Sequence, residues 1–306
     1  MSEERRNEAH EKAIVDAPED DRVRLAYADW LQQQGNPRGE LAMVQYLLAQ
    51  KKLPVPKRSH PTPIGARAEL EKRERELFDK HEALALESEA ELTWRVGFVE
   101  AASFDLQEVS ELEEQLETLF AHPSARLLRT LSLQTDFNDS VDEAIELLTQ
   151  LEVPPSVRSF VLHTGELQWP DPDFPPDGDW PVLSRLPDLF AAFPRMEALR
   201  VRGGLPERLA FPKTLRTLAV ETTDLRRSHL DGLIGTPRPA LKSLELWFGK
   251  SLVGLLDLDP LLAGKVGSLE RLGLMNTELS DPLVPVLARS PLLKRLEWLS
   301  FAFGTL

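Results

Sequence analysis

Seven times the chain repeats one apolar frame, LxxLxL with aliphatic or aromatic substitutes. The copies are Leu128-Leu131-Leu133, Val157-Phe160-Leu162, Met196-Leu199-Val201, Leu215-Leu218-Val220, Leu241-Leu244-Leu246, Leu269-Leu272-Leu274 and Leu293-Leu296-Trp298. A weaker copy, Val99-Ala102-Phe104, precedes them. Successive starts lie 29, 29, 39, 19, 26, 28 and 24 residues apart. Self-similarity at such a period marks a chain built from stacked units, each burying its apolar face against its neighbours. The end of each frame reads as a short strand with alternate side chains turned inward, and consecutive strands stack as a parallel sheet. Between frames, helical spacing recurs at Leu112, Leu116, Leu119 and Phe120, at Val141, Ile145 and Leu148, and at Leu255, Leu258, Leu261 and Leu262.

These frames and their spacing resemble those of leucine-rich repeats, whose period is roughly 20 to 29 residues. The expected fold class is therefore α/β: a leucine-rich-repeat solenoid of seven to eight irregular repeats over 96–306. Parallel strands would line its concave face, and helical or irregular returns its convex face. Two frames continue as LxLxxTxL, at Leu218-Val220-Thr223-Leu225 and Leu272-Leu274-Thr277-Leu279, where Thr is expected to satisfy the backbone as the chain leaves the sheet. The long step holds GELQWPDPDFPPDGDWP, residues 165–181, which reads as an acidic, Pro-rich insertion between repeats. Its Asp171, Asp173, Asp177 and Asp179 do not match the calcium-loop spacing of ligands at 1, 3 and 5 with Gly at 6, so no metal site is expected.

Residues 1–95 carry no such frame. Asp16-Ala-Pro-Glu19 reads as a capping box opening a helix whose apolar stripe is Val23, Ala26, Tyr27, Trp30 and Leu31. Gly35 suits that helix's C-terminus, and Asn36-Pro37 suits the N-cap and first position of the next, with its stripe at Leu41, Val44, Leu47 and Leu48. Asp29, Trp30, Asn36, Pro37 and Arg38 thus form a structural corner, with Asp29 expected to bond the following amides or Arg38. Residues 51–65, KKLPVPKRSHPTPIG, read as a basic linker.

Ala13-Ile14, Pro18-Glu19-Asp20-Asp21, Arg24 through Leu31 and Gly35-Asn36-Pro37-Arg38-Gly39-Glu40 resemble the repeat-companion domain of myxobacteria and planctomycetes. So do Leu77 and His81 followed by a strand, Arg95-Val96-Gly97-Phe98-Val99-Glu100. The resemblance implies a bacterial protein with an α-helical cap ahead of leucine-rich repeats, and no established catalytic activity.

Net charge is −14, distributed as −3 over 1–95, −15 over 96–180 and +4 over 181–306. An acidic middle disfavours nucleic-acid backbones and suits a basic protein partner. The chain has no cysteine, which excludes disulfides, thiolate nucleophiles and Cys-ligated metals. It also has no apolar run of the roughly 20 residues needed to span a bilayer. The charged start MSEERRNEAHEKAI lacks a signal-peptide core, so a cytoplasmic protein with no membrane role, and a monomer, is expected.

Enzyme signatures fail. His10-Glu11 and His81-Glu82 lack a second His at i+4, and Gly249-Lys250-Ser251 has Leu244 where a phosphate loop needs Gly. No cofactor is expected. The residues free to serve a partner are those alternating with the inward positions. Small polar side chains fill the early columns, with Thr130, Ser132 and Gln134, then Ser159, Val161 and His163. The later ones hold Arg200, Arg202, Glu245, Trp247, Arg271, Met275 and Arg295. Arg, Trp and Met are enriched where interfaces concentrate their energy. The alternative for these columns is a solvated face with charges paired across strands. Trp247 and Phe248, on opposite sides of one strand, are not expected to share a core, so one should pack on a loop or face a partner. The expected function is a non-enzymatic scaffold or adaptor docking a protein on its concave face. Its variant is an immunity or antitoxin-like inhibitor of a basic toxin, and its rival an enzyme or enzyme subunit with a site around Asp29, Arg38 and Glu40.

Overall fold

The computed structural model describes residues 6–50, 63–106, 111–135, 140–164, 180–249 and 251–304. It is a mixed α/β chain whose strands are mostly parallel. Most of the linker 51–65 and of the acidic insertion 165–181 lies outside the described residues. Two compact units result. One comprises Met1–Ser103, Glu114–Arg129 and Val153–Val157; the other comprises Phe104–Glu113, Thr130–Glu152 and Arg158–Leu306.

The first unit begins with four helices, α1 (Glu8–Asp16), α2 (Asp21–Gln33), α3 (Pro37–Ala49) and α4 (Pro63–Lys80). Asp16 ends α1 instead of capping α2; the cap is Asp20, whose carboxylate accepts from Arg22 N at 3.0 Å. The buried side of α2 is Arg24, Tyr27, Ala28 and Leu31, with Val23 and Trp30 packed beside it and Ala26 exposed. A Schellman turn closes α2: Gly35 takes φ +72°, Gly35 N donates to Gln32 O at 2.9 Å, and Asn36 N donates to Leu31 O at 2.9 Å. Asn36 Oδ1 then accepts from Arg38 N at 2.9 Å, with Pro37 in the first turn of α3. Gly39 lets the two helices close up, because a Cβ there would lie 2.5 Å from Ala28 O.

Arg95 through Glu100 is a hairpin and not one strand. Strand β1 (Glu91–Arg95) pairs antiparallel with β2 (Phe98–Asp105), Arg95 opposite Phe98, and Val96 and Gly97 turn at φ +46° and +82°. Positive φ at both loop residues matches the right-handed twist of the strands. Val96 is β-branched and strained there, and its burial with Ala28 and Ala42 holds it. Helix α5 (Leu112–Ala121) buries Leu112, Leu116 and Leu119.

In the second unit seven strands run parallel in chain order: β3 (Thr130–Thr135), β4 (Ser159–Thr164), β5 (Ala198–Arg202), β6 (Thr217–Glu221), β7 (Ser243–Trp247), β8 (Arg271–Met275) and β9 (Trp298–Ser300). Leu131, Phe160, Leu199, Leu218, Leu244, Leu272 and Leu299 stand in one register row. All but Leu299 are at most 1% exposed. Returns between strands carry α6 (Ser140–Gln150), α7 (Leu186–Ala192), α8 (Arg227–Ile234), α9 (Asp259–Leu262) and α10 (Ser280–Leu287). Val141, Ile145 and Leu148 of α6 are buried, as their helical spacing predicts.

Thr277 caps its turn by accepting from Leu279 N at 3.0 Å, whereas in the earlier repeat Thr222, not Thr223, accepts from Asp224 N at 3.4 Å. The last frame is Leu296-Leu299-Phe301, three residues beyond the expected Leu293-Leu296-Trp298, since Leu299 is the residue opposite Leu272. No helix among the described residues is long and apolar enough to cross a membrane.

Candidate functional site

The side chains that alternate with the buried row line the other face of the seven-stranded sheet. Register places Ser132, Val161, Arg200, Ala219, Glu245 and Gly273 side by side, and beyond them Gln134, His163, Arg202 and Glu221. Four of the six nominated residues on this face join one chain of contacts. Arg202 Nε donates to Glu221 Oε2 at 2.8 Å, and Arg200 donates to the other oxygen of the same carboxylate. Arg200 Nη2 lies 3.5 Å from Glu245 Oε1, which accepts from Trp247 Nε1 at 2.8 Å. The charges are therefore paired across neighbouring strands, the arrangement that stabilises a sheet face.

Burial separates the nominated residues. Arg202, Trp247 and Met275 are buried, at 6%, 7% and 8% exposure. Phe303, beyond β9, stacks on Trp247 at 5.3 Å between centroids, while Phe248 is buried on the other side of the chain. Both aromatics are thus covered. What remains accessible is Arg200, half-exposed, Glu245, and Arg271, whose guanidinium lies 4.8 Å from the centre of the Trp298 ring. Arg295 is not on this face. The shifted last frame puts it in the turn before β9, where Nη2 donates to Gly264 O at 3.3 Å and Gly267 O at 3.2 Å.

His163 and Glu221 stand in the same columns but carry more of the site's electrostatics than residue type alone suggests. Glu221, 1% exposed, is the carboxylate on which both arginines converge. His163 has Gln134 on one side and Arg202 on the other, and both ring nitrogens are buried without a hydrogen-bond partner. Burial, then the charges of Arg202 and Arg200, push its pKa down to about 4, so the ring is neutral at pH 7. Register beside Arg202, on either side of it, is the signal that marks both positions.

The corner residues of the first unit do not converge on a site. Arg38 is fully buried, donating to Gly97 O at 2.9 Å, Ser124 Oγ at 2.8 Å and Ala83 O at 3.3 Å, with its guanidinium 5.1 Å from the centre of the Phe98 ring. Asp29 is exposed and its side chain makes no hydrogen bond or ion pair among the described residues, contrary to its expected contact with the amides or Arg38. Glu40 points to the surface, where Arg73 Nε donates to it at 2.7 Å and lowers its pKa. Among the described residues no group of three or more His, Asp or Glu could hold a metal ion, and the four Asp of the insertion lie outside them.

No family model matches this chain, and no curated protein does. A solved structure of a Bacteroides fragilis protein, a structural-genomics target, is similar with a TM-score of 0.46 and 17% identity, over 76% of this chain and 68% of that one.

Proposed function

We propose that the chain is a non-enzymatic interaction protein of the leucine-rich-repeat class, cytoplasmic, headed by a helical domain like that of the repeat-companion family. It would act as a scaffold or adaptor that docks a protein on the face of its sheet. The observation that carries this reading is the cross-strand charge ladder Arg202–Glu221–Arg200–Glu245. These side chains stand on the face opposite the buried apolar row, and neighbours hold each one in place. A partner meeting such a face finds polar groups whose rotamer entropy is already lost, which lowers the cost of association. Arg200 and Arg271 are the accessible donors, and Arg is well suited to planar carboxylate recognition.

The rival reading, an enzyme site at Asp29, Arg38 and Glu40, finds no support in a buried Arg38 and two outward carboxylates. The purified chain should capture a defined protein set from its source cell. Arg200→Ala with Arg271→Ala should lose that set while circular dichroism shows it still folded, and Arg208→Ala, on an exposed loop, should retain it. Capture identical in all three overturns the docking face.

A further inference from the structure

Exposed aliphatic side chains are not scattered evenly over the described surface. Of seven large hydrophobics left exposed, five fall between residues 252 and 293: Leu252, Leu256, Val284, Val286 and Leu293. The first two are held outward by local hydrogen bonds. Ser251 Oγ donates to Leu225 O and accepts from Val253 N at 3.0 Å, which buries Val253 and turns Leu252 out to 99% exposure. Asp257 Oδ2 accepts from Gly254 N at 3.0 Å and Oδ1 lies 3.3 Å from Arg227 Nε, so the turn presenting Leu256 at 80% exposure is pinned as well. A fixed, fully exposed leucine gains nothing for folding.

Leu256 sits one turn ahead of Pro260, where an open groove of about 520 Å³ begins between α9 and α10. Pro260, Leu262 and Val286 supply its apolar lining. Lys265 and Arg289 also line it, and neither makes an ion pair among the described residues; Asp259 is the one carboxylate there. Many cations of this unit are paired, as Arg158 is with Glu197, Arg226 with Asp224 and Lys242 with Glu270. A groove lined by apolar side chains and two cations without ion pairs, in the part of the chain whose net charge is +4, is complementary to aliphatic side chains flanked by carboxylates.

We propose that the groove between α9 and α10 is a second docking site, for an acidic amphipathic segment of a partner protein. Its aliphatic side chains would pack on Pro260, Leu262 and Val286, and its carboxylates would pair with Lys265 and Arg289. This surface is separate from the sheet face and goes beyond the function proposed above.

The probe is a fluorescent helical peptide of about four turns with Leu at i, i+3, i+4 and i+7 and Glu on both flanks. Its controls are the same peptide with Lys for every Glu and one with Ser for every Leu. Anisotropy should rise saturably for the Glu peptide and for neither control. Binding should fall at least about tenfold in Lys265→Glu with Arg289→Glu, and in Val286→Asp, all exposed or half-exposed positions. Hydrogen exchange over 256–290 should slow when the Glu peptide is bound. Arg200→Ala with Arg271→Ala should leave this binding unchanged; if that variant alone abolishes it, the groove is wrong and the sheet face stands. No saturation up to about 1 mM, equal binding of the Glu and Lys peptides, or affinity indifferent to the groove variants overturns the proposal.

Discussion

Arg202 Nε and Glu221 Oε2 meet at 2.8 Å across adjacent strands, with the two residues only 6% and 1% exposed. Removing one member of a buried ion pair strands the other, which costs about 3 to 5 kcal/mol, whereas replacing both by apolar groups of similar volume is often neutral. Glu221→Ala should therefore lose about 3 kcal/mol or more in urea unfolding. Glu221→Leu with Arg202→Met should recover most of that loss. If the double variant is as unstable as the single, the pair is not an isolated unit and Arg200 shares its energy.

The neutral His163 gives that region a pH dependence with a definite sign. Its folded pKa, pushed down to about 4, lies below the ordinary 6.5, so the unfolded chain binds the extra proton first as pH falls. Its contribution is fully present above pH 6.5 and is lost progressively between 6.5 and about 4. His229 acts in the same direction. Burial lowers its pKa first of all, and its Nδ1, which accepts from Arg226 N at 3.1 Å, must give up that bond when protonated. Denaturation midpoints of His163→Gln should fall less steeply over this interval than those of the parent. An imidazole titration of His163 near 6.5 in the folded protein would contradict the prediction.

The repeat frame was legible because a parallel strand buried on one side must return a Leu-like residue at fixed positions, and the row from Leu131 to Leu272 does so without a slip. It failed where two frames overlap. LLKRLEWLSF satisfies LxxLxL from Leu293 and again from Leu296, and the second choice sets Leu299 beside Leu272, leaving Trp298 to lie beneath Arg271. Apolar patterning was equally blind to Arg24 and Arg38, which are buried cations, and to the hairpin in RVGFVE, where a Val takes a turn position that Asn or Gly ordinarily fills. On the sheet face, residue type singled out Trp247 and Met275, but the stacking of Phe303 on Trp247 depends on a contact 56 residues away in the chain that no local pattern contains.

Within the helical corner the structural weight falls on Arg38 and not on its neighbour in the motif, Asp29. Arg38→Lys loses the forked geometry that reaches Gly97 O and Ser124 Oγ from Nη1 and Ala83 O from Nη2, and should cost about 2 to 4 kcal/mol by leaving buried acceptors unpaired. Asp29→Asn, at an exposed side chain without partners among the described residues, should stay within about 0.5 kcal/mol of the parent. Thermal denaturation of both variants checks this. A large loss in Asp29→Asn would restore Asp29 to a structural role.

Gly97 is required twice, by its backbone and by its surroundings. Its φ of +82° is costly for any residue with a Cβ, and a Cβ placed there would lie 2.9 Å from Ala42 Cβ and 3.1 Å from Arg38 O, against the helix that carries the buried guanidinium. Gly254 offers the matched control: its φ is −97°, and the nearest atom to an added Cβ is Asp257 Oδ2 at 3.8 Å. Gly97→Ala should lose about 2 kcal/mol or more in urea unfolding, combining αL strain with overpacking. Gly254→Ala should be neutral or slightly stabilising, since it narrows the unfolded ensemble at little native cost. Similar losses in both variants would mean that the hairpin turn does not anchor against Arg38 and Ala42 as the register of β1 and β2 places it.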